Sequence, residues 1–276
     1  MVSLRYTPHF ALQDFISELI LIHRKLDQTT SAAPPYPFPP QPGNALYFFP
    51  YDQITCHSNT YQQITQLPQQ TIVGPQLSRV DLCMGNHMLI IIVNFHPGSL
   101  HRLLRQPMHE MVDQHFDAAL LLGPEIEQVS VQLRKESNFD QMIAVIETYL
   151  LKLVNRLKPL LPLDRVLRQM LGTKNMLRIS QLAHQACVSN RQLERQFKER
   201  IGLSPILFSR LLRFENARIL SEEQPQLTWL NVAAICGYAD QMHMITAFKD
   251  FAGTTPELLK KDLEKDCWRS LYRTIV

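Results

Sequence analysis

The chain changes its hydrophobic rhythm twice. In the first 95 residues, short apolar or alternating runs predict strands over residues 45–49, 53–57, 70–73, 79–84 and 87–95. Residues 12–22 fit a helix or a strand equally well. From residue 97 the spacing becomes helical. Pro97-Gly98-Ser99-Leu100 can open a short helix, residues 124–135 predict another, and residues 139–157 predict a long amphipathic one with Ile143, Ile146, Leu150, Leu153 and Leu157 on one face. Such a face suits either dimerisation or packing against the strands before it. Lys158-Pro-Leu-Leu-Pro162 ends that helix, and a short helix over 164–171 leads into the last third. The expected class is α+β, with a β-rich domain followed by helices (1–157), a linker (158–172) and an all-α domain (173–276).

The last third repeats itself 51 positions apart. Ala183 aligns with Ala234, Phe197-Lys198 with Phe248-Lys249, Gly202 with Gly253, and Ser204-Pro205 with Thr255-Pro256. Each copy reads as a helix (179–186 and 229–236), a short turn, and a second helix opening at an N-cap, Ser189 in one and Asp240 in the other. A helix over 205–221 joins the copies. This is helix-turn-helix grammar. Ser189 and Gln192 form a capping box, so the second helix begins sharply at the end whose dipole favours an anion. Leu193, Phe197 and Ile201 supply a buried stripe and leave Arg191, Gln192, Glu194, Arg195 and Lys198 facing out. In the second copy Met244, Phe248 and Ala252 are the stripe, with Gln241, Met242, His243, Thr246 and Lys249 exposed. Gly237, aligned with Ala186, permits a tight turn.

Two strings, Arg195-Gln-Phe-Lys-Glu-Arg-Ile-Gly-Leu-Ser-Pro205 and Cys236-Gly-Tyr-Ala-Asp-Gln-Met-His-Met-Ile-Thr-Ala-Phe-Lys-Asp-Phe-Ala-Gly-Thr-Thr-Pro256, resemble the DNA-binding domain of the AraC/XylS family of bacterial transcription regulators. The resemblance spans residues 173–268. It implies that the joining helix holds both reading helices on one side of the protein, entering successive major grooves of one DNA face. It also implies base-facing roles for Arg191, Glu194 and Arg195 in the first helix and Met242, His243 and Thr246 in the second, with Gln192 and Gln241 beside them. Arginine suits guanine, Glu194 can accept from a cytosine amino group, and Thr246 or Met242 can meet a thymine methyl. Many family members carry Arg where this chain has Thr246, and Ser with an aromatic where it has Met242 and Met244. The first helix is therefore expected to supply most of the specificity and the second to anchor. Glu194 and Arg195 alternatively pair with neighbours on a solvated face, Lys198 and Lys249 face solvent or phosphate, and His243 suits surface, phosphate or base. Phe197, Phe248, Gly202 and Gly253 are structural.

By arrangement alone, the first half resembles the cupin-like sensing domains of this family. Val93-Asn-Phe-His-Pro-Gly-Ser-Leu-His-Arg-Leu-Leu104 resembles the Phe-x-Pro-Gly signature of a branch whose N-terminal domain has no assigned function. The mouth of such a barrel can hold a small-molecule effector, or the barrel is packed solid and serves only dimerisation; no ligand-binding residue is assigned. His57, His87, His96, His101, His109 and His115 lack the His-x-His pair and following carboxylate of a metal-binding cupin, so neither metal nor other cofactor is expected. The run Pro34-Pro-Tyr-Pro-Phe-Pro-Pro40 favours polyproline II, as a partner-recruiting segment or a stiff surface loop.

Charge sharpens the picture. Residues 173–221 hold nine Lys or Arg against three Glu, whereas residues 1–172 hold thirteen basic and fourteen acidic side chains. That surplus is an electrostatic footprint for nucleic acid. A chain of 276 residues with 45% hydrophobic content suits two domains with their own cores. Five cysteines share no metal spacing and are expected as reduced thiols, Cys187 and Cys236 as small core residues. Without a signal-peptide pattern or a membrane-length apolar run, a soluble cytoplasmic protein is expected, with no membrane contact. No phosphate loop, nucleophile elbow or Cys-His signature is visible, so no catalytic residue is assigned and an enzyme fused to a DNA-binding module is disfavoured. The expected partners are double-stranded promoter DNA and RNA polymerase, with an effector or homodimerisation modulating binding; the alternative is control by a protein partner.

Overall fold

A computed structural model describes residues 2–25, 34–58, 60–172 and 179–264. Ten strands come first: β1 (Val2–Tyr6), β2 (Ile16–Lys25), β3 (Tyr36–Phe38), β4 (Ala45–Phe48), β5 (Thr55–Ser58), β6 (Gln63–Gln66), β7 (Gln70–Val73), β8 (Val80–Cys83), β9 (His87–Phe95) and β10 (His115–Asp117). They form a six-stranded sheet in the order β1-β2-β9-β4-β7-β10 and a four-stranded sheet in the order β3-β8-β5-β6. Helices α1 (Ser99–Leu104), α2 (Ala118–Leu122), α3 (Glu125–Leu133) and α4 (Phe139–Val154) belong to the same half. The second half is helical: α5 (Pro162–Gly172), α6 (Ile179–Gln185), α7 (Asn190–Arg200), α8 (Pro205–Glu223), α9 (Trp229–Ile235), α10 (Gln241–Ala252) and α11 (Pro256–Leu263). No helix among the described residues is long and apolar enough to cross a membrane.

The continuous apolar run of β9 follows from its place between β2 and β4, with both faces covered. Side chains alternate along it. Met88, Ile90 and Ile92 face the interior shared with the four-stranded sheet, whereas Leu89, Ile91, Val93 and Phe95 face the helical layer of α3 and α4. The ambiguous segment at residues 12–22 resolves into a short 3₁₀ turn (Phe10–Leu12) and the central strand β2.

Two expectations are corrected here. The apolar stripe of α4 is not a free dimer face, because Ile143, Ile146, Leu150 and Leu153 are buried against the outer side of their own six-stranded sheet. Nor is the proline-rich run a surface loop or an open recruiting segment. Tyr36, Pro37, Phe38, Pro39 and Pro40 are all buried, and Tyr36–Phe38 is β3, an edge strand that among the described residues pairs with β8. An edge strand tolerates proline because one side of it needs no donors. On its other side β3 packs against α11.

The two halves meet around one buried ion pair that belongs to the helical half. Asp164, in the first turn of α5, is fully buried. Its Oδ1 accepts from Arg200 Nε at 3.1 Å and Nη2 at 2.8 Å, and its Oδ2 accepts from Arg200 Nη2 at 2.7 Å and from Leu161 N at 2.8 Å. Arg200 is the last residue of α7, so the pair ties the start of α5 to the end of α7. Gly98 closes over it. At φ +78° this residue caps α1, and a Cβ there would lie 2.4 Å from Asp164 Oδ1. The glycine of the Phe-His-Pro-Gly string is thus required both for its left-handed backbone and for the approach of the carboxylate. A second close approach follows at Gly202, φ +90°, where a Cβ would meet the Met108 carbonyl oxygen at 2.6 Å. Arg79 reaches Asp262 on α11 at 3.4 Å, and Arg168 of α5 reaches Asp14 at 3.1 Å.

Asp164→Ala is expected to cost about 3–5 kcal/mol in urea unfolding, because it strands a buried guanidinium. Replacing both partners by apolar side chains of similar volume is expected to recover most of that loss.

Candidate functional site

The two helix-turn-helix units are α6 with α7 and α9 with α10. In α7 the stripe falls as expected: Leu193 and Phe197 are buried, and so is Ile201 at the helix end. Arg191, Gln192, Glu194, Arg195 and Lys198 are exposed together on the opposite side. In α10 Met244, Phe248 and Ala252 are buried, Met242, His243, Thr246 and Lys249 are exposed or half-exposed, and Gln241 is half-buried. The structure thus brings each set of five sequence-expected residues to one outward helix face. The ring of His243 packs edge-on against Tyr238 at 5.3 Å, and Thr246 Oγ1 donates back to the Met242 carbonyl at 2.9 Å.

The capping chemistry is local and complete. Ser189 Oγ accepts from Gln192 N at 3.3 Å, while Gln192 Oε1 accepts from Ser189 N at 3.0 Å. The amide oxygen of Gln192 is therefore engaged in the cap, leaving its Nε2 as the group that faces outward. In the second unit the Asp240 carboxylate accepts from His243 N at 2.7 Å. A charged cap at this end opposes a phosphate more than the neutral serine does, so the two helix starts differ electrostatically.

The repeat carries a one-residue step that the alignment at 51 conceals. Backbone bonds equate Val188 N→Ala183 O with Tyr238 N→Ala233 O, and Cys187 N→His184 O with Gly237 N→Ala234 O. These pairs lie 50 apart, whereas the caps Ser189 and Asp240 lie 51 apart. Ala183 is therefore equivalent to Ala233, both buried, and not to Ala234; the second turn is longer by one residue. The left-handed position of the turn falls on Gly237 (φ 72°) in the second unit and on Cys187 (φ 54°) in the first. Cys187 is exposed at that turn and is not a core residue, whereas Cys236 is buried; neither is in a disulfide, nor are Cys56 and Cys83. Cys267 lies outside the described residues.

The basic surplus divides in two. Arg200 is consumed by Asp164, and Arg218, on α8, is buried between Glu215 (2.5 Å) and Glu222 (3.0 Å). Arg210 pairs with Asp250 at 2.6 Å, and Arg213 lies over the Tyr238 ring at 5.4 Å while donating to the Gly237 carbonyl. These arginines fasten α8 to its neighbours. The cations that α7 presents outward are Arg191, Arg195 and Lys198; Lys174 and Arg178 lie outside the described residues. Net charge alone could not make this division, which depends on which arginine meets a carboxylate.

A second feature sits between the sheets of the N-terminal half. A cavity open to solvent at one end is lined by β3 to β10. Tyr36, Phe38, Tyr47, Phe49, Ile90 and Ile92 form much of its wall. Burial holds the Tyr36 and Tyr47 phenols far above the usual range and pushes the Cys56 thiol up to about 11. Tyr36 also senses Arg218, Glu222 and Glu215 of α8 electrostatically. One residue of β3 thus lines the cavity and lies within electrostatic reach of the helix that joins the two units. Sequence reasoning missed it because the proline-rich spacing masks the alternation.

Residues 182–262 match the family model of a helix-turn-helix domain, and residues 4–117 match that of a domain of unknown function. The HTH-type transcriptional regulator ArgR of Pseudomonas aeruginosa is 30% identical over 140 residues, 50% of this chain and 40% of that protein. The chain therefore spans about two-fifths of the length of this curated relative. Among solved structures, ToxT of Vibrio cholerae aligns over 94% of this chain and 98% of its own, at 11% identity and a TM-score of 0.48. The DNA-binding domain of AdpA, solved in complex with a target DNA, aligns over 38% of this chain and 95% of its own, at 23% identity and a TM-score of 0.36.

Ser189→Ala is expected to destabilise the chain by about 1 kcal/mol in urea unfolding, through loss of the α7 cap. Gln192→Glu, which preserves the capping box, is expected to leave the midpoint nearly unchanged.

Proposed function

We propose, from the AraC/XylS-type helix-turn-helix domain that this chain carries at its C-terminus, that the protein is a sequence-specific regulator of transcription binding double-stranded promoter DNA. The observation that carries this reading is the pair of capped helices, α7 and α10, each with its polar residues on one exposed face. Arg191, Gln192, Glu194, Arg195 and Lys198 are the DNA-binding residues of α7, and Gln241, Met242, His243, Thr246 and Lys249 those of α10. Arg191 and Arg195 read guanine edges, Glu194 accepts from a cytosine amino group, and Lys198 and Lys249 meet phosphates. The two helices enter successive major grooves. Specificity resides mainly in α7, because α10 offers no arginine and its start carries the Asp240 carboxylate. The protein works in the cytoplasm, acts on RNA polymerase at the promoter, and is not an enzyme.

The N-terminal half modulates this binding. It packs against the α7 end of the domain, where Gly98 lies beside the Asp164–Arg200 pair and the Met108 carbonyl abuts Gly202, and leaves the corresponding Gly253 after α10 in open space. A small effector in the cavity would press on β3, whose Tyr36 lies within electrostatic reach of the charged cluster on α8. Occupancy shifts the balance between two domain arrangements only to the extent that the effector binds one of them more tightly. Homodimerisation is the other route of modulation, through a surface other than the buried face of α4.

Selection of bound fragments from sheared genomic DNA, with the whole chain, is expected to enrich one short asymmetric motif, with binding that weakens steeply as salt rises. On that motif Arg195→Ala is expected to abolish the preference for the site over random DNA, and Thr246→Ala to change it little. Equal losses from both would overturn the division of labour between the helices, and no enrichment in any salt would overturn DNA reading.

A further inference from the structure

We infer that the cavity takes an electrically neutral, largely apolar molecule, aromatic or alicyclic, whose hydrogen-bonding groups lie at one end. This rests on the reading of the cavity as an effector site and adds the chemistry of what it accepts.

The wall decides the apolar part. Tyr36 and Phe38 of β3 present rings edge to face at 6.1 Å, and Tyr47 and Phe49 present rings stacked at 6.0 Å. Flat or cyclic carbon skeletons pack on such surfaces with little loss of conformational freedom. The polar groups of the lining are mainly amides and hydroxyls, among them Gln63 and Thr65 of β6, Gln76 and Gln114. Gln63 and Gln114 are exposed and Thr65 is half-exposed, which places them at the open end of the cavity. Each can donate as well as accept, so they suit an alcohol, ketone, phenol or amide.

The charges decide the rest. Among the described residues that line the cavity there is no lysine or arginine. An anion entering it would lose its water without meeting an opposite charge. The carboxylate in the lining is Asp113, and it is already engaged. Its Oδ1 accepts from Leu77 N at 2.6 Å and Ser78 N at 3.1 Å, and its Oδ2 accepts from Ser78 Oγ at 3.0 Å. Three donors already occupy it, and its work is to close the 77–78 loop. A cation would find ring faces, yet these return less than the desolvation of an ammonium costs when no free carboxylate stands by. His115, the remaining basic group, is driven toward its neutral form by burial. Neither sign of charge has a waiting partner.

The test uses the full chain at neutral pH and the uncharged fluorophore N-phenyl-1-naphthylamine, displaced by three molecules of one skeleton: 2-naphthalenemethanol, 2-naphthoate and 2-naphthylmethylammonium. The alcohol is expected to displace it at least roughly tenfold more tightly than either ion. Gln63→Arg, an exposed substitution at the open end, is expected to raise naphthoate affinity severalfold while leaving the alcohol unchanged. If either ion binds the natural chain as well as the alcohol does, the charge inference is overturned while the cavity reading stands. Thr65→Trp, which fills the mouth from a half-exposed position, separates the two failures. If that variant binds the fluorophore undiminished, or if the natural chain does not bind it at all, the cavity is not the site and both readings fall.

Discussion

Taking a carboxylate and a guanidinium out of water is among the costliest acts in folding, and Asp164 with Arg200 succeeds because every part of it is matched. Two nitrogens of one arginine and one backbone amide surround the carboxylate, and the positive end of α5 adds its dipole. Much else in the molecule depends on that match. It sets where α5 begins and where α7 ends, and it obliges residue 98 to be glycine. A helix that presents side chains to another molecule must be held rigidly from behind, and α7 is held at both ends: Ser189 caps its start, and Arg200 anchors its finish to the buried start of α5. The ion pair serves position more than stability, since an apolar pair could fill the same space.

The N-terminal half resolves a different conflict. A sheet edge needs protection, a cavity needs a wall, and the second domain needs a surface to rest on. β3 meets all three with three residues. Its proline removes a donor, its two aromatic rings turn toward the cavity, and α11 covers its back. The buried cluster of Arg218 with Glu215 and Glu222 lies within electrostatic reach of Tyr36. This short strand thus lies between the cavity it lines and α11 of the second half.

Legibility in the sequence follows the strength of periodic signals. β9 is readable to the residue because an unbroken apolar run of strand length, Met88 to Val93, fits a central strand and little else. The stripes of α7 and α10 are readable because each is bounded by a cap and by a glycine with a Ser-Pro or Thr-Pro tail. β1 and β6 are not, since edge strands with polar or exposed side chains carry no burial signal; β6 consists of Gln63, Ile64, Thr65 and Gln66, and Ile64 points to solvent. β3 is hidden by its prolines. The stripe on α4 is plain, but amphipathicity does not say which apolar surface it meets, and its own sheet takes it. The basic surplus of residues 173–221 is real as a count and misleading as a surface, because several arginines have carboxylate partners that the count does not place. The repeat is legible as a repeat, while its single-residue step lies in the turn, where side-chain identity matters least and backbone bonds decide.

The contrast between Gly202 and Gly253 has an evolutionary reading. The first glycine abuts the Met108 carbonyl and belongs to the contact between domains; its counterpart faces nothing within 4 Å. Whatever α7 gains by mutation must be compatible with that contact. The unit of α9 and α10 is under no such obligation. It is the half of the duplication that can drift, and a lineage that acquires new binding sites would be expected to rewrite the outward face of α10 first, leaving α7 as the inherited address.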